Sequence, residues 1–66
     1  MTYRFTPNPV HLDTLNPAAV PYIGKLVTVR SWHPNISMLD LFPDDERVGF
    51  IEEFSMDIPQ SELTPP

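Results

Sequence analysis

The chain has no cysteine, only two glycines and only four basic residues among its 66. Without cysteine, neither a disulfide framework nor a thiolate zinc site can supplement the core. A chain of this length buries only about 60% of its unfolded surface and is marginal on that account. Free of disulfides, it suits a reducing compartment, and a cytoplasmic location is the expectation. Gly24 and Gly49 are too few and too far apart for a glycine-rich phosphate cradle. No hydrophobic run approaches the length of a membrane span. The first residues carry neither a charged nor an apolar leader segment, so no secretory signal is expected. The Asn35-Ile36-Ser37 sequon is then an accident of composition.

Positive charge is scarce and unevenly placed. Residues 1–33 carry Arg4, Lys25 and Arg30 against Asp13, a net +2. Residues 34–66 carry Arg47 against Asp40, Asp44, Asp45, Glu46, Glu52, Glu53, Asp57 and Glu62, a net −7. A chain of net charge −5 repels phosphate, which argues against direct nucleic-acid binding and for a partner with a basic surface.

Motifs for chemistry are equally sparse. His11-x-Asp13, with His33 brought near by folding, is a metal site only if further ligands complete the shell, and no others are specified. The carboxylate pairs Asp44-Asp45-Glu46 and Glu52-Glu53 would need a cleft that holds two acids apart and splits their pKa values. A domain this small has little room for one. No serine stands in a nucleophile-elbow context. The expectation is a protein that is not an enzyme, with no catalytic residue, cofactor or metal.

What the chain has in abundance is proline, at nine positions. Each removes an amide donor and fixes φ, which breaks long helices throughout. The longest window without one runs between Pro43 and Pro59. It contains RVGFIEEFSMDI, in which Val48, Phe50, Phe54, Met56 and Ile58 share one parity, the period-two mark of a strand with one buried face. Glu52 breaks the parity, which calls for a bulge near Gly49 or at Glu52-Glu53, or for an edge position. Phe50 is expected as a central core ring.

Residues 22–32 (YIGKLVTVRSW) form the second expected strand, rich in β-branched residues. Ile23, Val27 and Val29 lie on one face and Tyr22, Leu26 and Trp32 on the other, so both faces need cover. Residues 2–6 suggest a short strand at an edge, because Pro7 follows. Residues 6–21 read as an irregular arm, with Asn16-Pro17 starting one helical turn that Pro21 stops. Val10, Leu12, Leu15 and Val20 would pack that arm over the sheet. Residues 36–42 (ISMLDLF) fit either a strand or a short helix capped by Ser37. Seven residues make a poor isolated helix, which favours the strand. Ser61-Glu62-Leu63 suits a 3₁₀ turn that plugs Leu63 into the core.

These features define an all-β fold: a bent antiparallel meander of 3–5 short strands forming one domain over 1–66, with a proline-rich arm over 1–21 packed on a β-barrel core over 22–64. The order of strand, turn, strand, acidic turn, then Val48-Gly49-Phe50-Ile51, Ile58-Pro59 and Ser61-Glu62-Leu63 resembles the bacterial SH3-like small β-barrels. That resemblance covers about residues 22–64 and implies a fold and a binding role. It assigns no functional residue. The arm lies outside the common pattern, and the basic face of RNA-binding members is missing.

The functional expectation is a small protein-binding module or accessory, regulatory subunit. The alternative is an acidic, phage-type inhibitor that occupies a basic nucleic-acid-binding surface of its target. Candidate partner-binding residues are the aromatics Tyr22, Trp32 and Phe42 and the acids Asp44, Asp45, Glu46, Glu52 and Glu53. A homodimer through pairing of the 22–32 strand with its copy is a further possibility.

Overall fold

The computed structural model describes residues 1–9, 11 and 15–66. Among these residues there are five strands: β1 (Thr2–Phe5), β2 (Leu26–Pro34), β3 (Arg47–Ile51), β4 (Met56–Pro59) and β5 (Leu63–Thr64). They form one antiparallel sheet in the order β4-β3-β2-β1-β5. The fold is all-β.

The sheet is curled. β4 and β5 stand at its opposite ends, yet only the 3₁₀ turn Gln60–Glu62 joins them. The four Cα steps from Pro59 to Leu63 reach at most about 14 Å. Four inter-strand spacings across a flat sheet amount to about 19 Å. The sheet must therefore bend until its ends approach, and its concave side becomes the core. Phe5, Val27, Val29, Ile51, Ile58 and Leu63, drawn from all five strands, form that core with Ala19 and Phe54. As the sequence suggests, a closing 3₁₀ turn delivers Leu63 into it.

Gly49 shows how tightly the curl is packed. A Cβ there would lie 3.0 Å from Val29 Cγ1, 3.1 Å from Leu63 Cδ1 and 3.2 Å from Trp32 Cζ3. Glycine fits here because side chains from β2 and β5 converge over this point of β3. Gly49→Ala is expected to cost about 1–3 kcal/mol through overpacking. A urea midpoint equal to that of the parent would show that the core yields freely at this point.

Several sequence expectations are corrected. The 47–58 stretch is two strands, not one. Residues 52–55 form a turn, with Ser55 in the left-handed region at φ 53°. Glu52 is exposed on that turn, and Phe54 folds back into the core against Phe5 and Tyr22. Across the turn the inward parity changes: Ile51 is fully buried, whereas Phe50 is only half-buried. The bulge exists, but in β2. Val29 pairs with Ile51 and Ser31 with Phe50, so Arg30 is the extra residue. This brings Trp32 opposite Gly49, onto the side of the sheet that Val29 occupies.

The expected strand at 22–32 starts late. Tyr22 ends a 3₁₀ turn, Val20–Tyr22, that contains Pro21 and is not stopped by it. Gly24, at φ 76°, reverses the chain before β2. Leu26 is 48% exposed, so β2 is not covered on both faces. β1 is not an edge strand, because it pairs with both β2 and β5. β2 is flanked by β1 along residues 26–28 and by β3 along residues 29–34.

Residues 36–42 are neither strand nor helix. They form a turn-rich loop closed by a bond from the Phe42 amide to the Met38 carbonyl, 2.8 Å. The cause is Asn35, which is buried. Its Oδ1 accepts the Met38 amide at 3.1 Å, and its Nδ2 donates to the carbonyls of Phe42 (3.0 Å) and Asp45 (2.9 Å). One side chain thus replaces a sheet ladder. Of the arm, Ala19 is buried and Leu15 packs against the core, while Val20 is half exposed. Asn16 makes its turn by accepting the Ala18 amide at 2.9 Å. Val10 and Leu12 lie outside the described residues.

Candidate docking groove

Two loops and one strand converge on the closing turn. The β1–β2 connection contributes Pro7, His11 and Leu15. The β2–β3 connection contributes Met38, Leu41 and Phe42. β4 and the turn supply Met56, Asp57, Ile58, Pro59 and Glu62. Together they enclose a half-open, mainly apolar groove of about 120 Å³.

Carboxylates hold both walls to the same three-residue turn. Glu62 Oε2 accepts the Asn8 amide at 2.7 Å, and the Glu62 carbonyl accepts the Thr6 amide at 2.9 Å. Asp45 accepts the Ser61 amide at 3.1 Å and the Ser61 hydroxyl at 2.7 Å. The walls meet where the His11 ring packs on Phe42, 4.6 Å between centroids.

Glu62 is the buried acid of the groove, 5% exposed. Burial pushes its carboxyl above the ordinary value of 4.5; the Asn8 hydrogen bond and His11 pull it down, and the Asp45 charge raises it. The folded chain therefore holds this proton more tightly than the unfolded chain does. Stability contributed by Glu62 is full at low pH and declines as pH rises from the unfolded value through the raised one. Glu62→Gln keeps an acceptor for Asn8 and removes the ionisation. The parent should lose stability relative to Glu62→Gln across that rise, which urea midpoints measured from about pH 3.5 to 8 would show. Parallel curves would mean that the buried charge has no cost.

The aromatics singled out from the sequence fall in three places. Tyr22 packs on Phe54 in the core, Phe42 lines the groove, and Trp32 lies elsewhere. The Trp32 and Tyr3 rings stand perpendicular with centroids 5.6 Å apart, and the Arg47 guanidinium stacks 3.8 Å from the Trp32 ring centroid. Its buried indole Nε1 has no acceptor among the described residues.

The acids also divide. Asp45 clips the turn, and Glu53 accepts the Thr28 amide at 2.8 Å and the Thr28 hydroxyl at 3.1 Å. Asp44, Glu46 and Glu52 have exposed side chains. Sequence reasoning missed Asn35, Asp57 and Glu62 as site builders. Only the Asn35-to-Met38 spacing, typical of an Asn-capped turn, signals any of them.

His33 Nε2 and Ser31 Oγ share a hydrogen bond at 2.8 Å. Among the described residues no group of three histidines or acids is placed to hold a metal; Asp13 of the His11-x-Asp13 motif lies outside them. Nor is any helix among them long and apolar enough to cross a membrane.

No protein-family model matches this chain, and neither a curated protein nor a solved structure does.

Proposed function

We propose that this chain is a non-enzymatic, cytoplasmic protein-binding module or accessory subunit built as an SH3-like small barrel. The strand order β4-β3-β2-β1-β5, with a 3₁₀ turn between the last two strands, supports the barrel reading. One observation carries the binding role. The groove wall continues into a loop that holds Ile36, Leu39 and Leu41 out to solvent, 77%, 49% and 55% exposed. Asn35 anchors that loop firmly, so these aliphatic groups are presented and not merely disordered. Three exposed aliphatic side chains within one short loop, beside an apolar groove, support a contact role.

Capture from native lysate with the parent chain and with Leu39→Asp/Leu41→Asp tests the reading. A stoichiometric partner held by the parent and lost by the variant supports it. No stoichiometric partner, together with a monodisperse monomer, overturns it.

A second reading is an acidic inhibitor of a basic nucleic-acid-binding surface. The net −7 of residues 34–66 and the exposed Asp44, Glu46 and Glu52 favour it. Its binding should weaken steeply with salt. Binding that ignores salt removes this reading.

A further inference from the structure

We infer that the groove receives a cationic side chain, a lysine or arginine of the partner, with its alkyl stem on the apolar floor and its charged head at Glu62 and Asp57. The inference rests on the docking reading and specifies what docks.

The volume of about 120 Å³ suits one side chain, not a whole backbone segment. Leu15, Met38, Phe42, Met56 and Ile58 give the floor its apolar character. A floor of this kind matches the methylene stem of a long cation, which buries its stem and leaves its head at a polar site. The acids supply that site. Glu62 is almost wholly buried and Asp57 half-buried on the same wall. Desolvation already penalises the Glu62 charge, with His11 and Asp45 the other ionisable groups acting on it. A ligand cation would relieve that penalty, because a buried carboxylate gains most from a charged donor.

Charge also disfavours a second copy docked face to face through this same surface. Asp40 and Asp44 flank Leu41 and Phe42 in the loop. The only cation of residues 34–66, Arg47, is stacked on Trp32. Two copies meeting through this surface would oppose acid to acid.

The full chain, with ¹³C-labelled methionine methyls, provides the test. Met38 and Met56 line the groove, while the exposed Met1 is an internal control. The probes are n-butylguanidinium, n-pentanol and hexanoate. The guanidinium should shift Met38 and Met56 but not Met1, and bind about fivefold more tightly than the alcohol, the scale of a partly exposed ion pair. Hexanoate should bind more weakly than the alcohol. Glu62→Gln and, separately, Asp57→Asn should reduce the cation's advantage over the alcohol, with the spectrum confirming that each variant is folded. If the alcohol binds as tightly as the guanidinium, the cation preference is wrong and the apolar groove survives as a docking site. If no probe moves Met38 or Met56, both ideas fail.

Discussion

Phe5→Ala should leave this chain largely unfolded at 37 °C. Phe5 is completely buried, and its ring packs 5.5 Å from that of Phe54. Its backbone pairs with Leu63 in β5, donates to the Lys25 carbonyl at 2.9 Å and accepts from the Gly24 amide at 2.7 Å. The ring thus sits where β1, β5 and the end of the β1–β2 connection are joined. Truncating a buried phenylalanine costs about 3–5 kcal/mol. A domain of this size has a total stability of about 3–10 kcal/mol. With a urea slope near 1 kcal/mol per molar, the midpoint should fall by about 3 M or more. The single tryptophan, Trp32, half-buried against Tyr3, reports the transition by fluorescence. A midpoint within about 1 M of the parent would contradict a core centred on Phe5.

Asn35→Ala should be the next most damaging change. The amide group is buried and satisfies Met38, Phe42 and Asp45 at once. Removing it leaves one amide and two carbonyls without their side-chain partner. Each lost bond is worth about 1 kcal/mol, and any group that stays buried costs more, so a loss of about 2–4 kcal/mol is expected. The damage should concentrate on residues 36–45. Backbone amide exchange at Met38 and Asp45 should rise far more than at Val27 in the core. Asn35→Asp keeps the size and the acceptor but turns a carboxylate toward two carbonyls, and it should be no better tolerated. Equal exchange changes throughout the chain would show that Asn35 supports the whole fold and not this loop. Because Met38, Leu41 and Phe42 form one groove wall, both variants should also weaken binding there.

The fold class was legible because it depends on local constraints. Nine prolines leave no window for a long helix, and the β-branched run Val27-Thr28-Val29 lies within a strand. Pro59 ends β4, and Leu63 closes the core after one 3₁₀ turn. The site was much less legible. Of the aromatic candidates, Phe42 lines the groove. Tyr22 and Trp32 share one strand face by parity, yet Tyr22 lies in the 3₁₀ turn before β2 and Trp32 falls on the Val29 side of the sheet. Parity holds only while pairing is regular, and a single extra residue at Arg30 reverses it downstream.

The sequence by itself determined what this chain can be made of: short antiparallel strands, no thiol or disulfide, no phosphate loop and an acidic second half. These follow from residue chemistry and from steric limits on each backbone unit, which act wherever the residue is placed. Tertiary structure alone decided which face each side chain uses and which distant residues share a surface. Pro7, His11, Leu15, Met38, Phe42, Met56 and Glu62 come together only because the sheet curls until its two ends meet at Gln60–Glu62. That closure is set by strand pairing between segments far apart in the chain, so no local pattern encodes it.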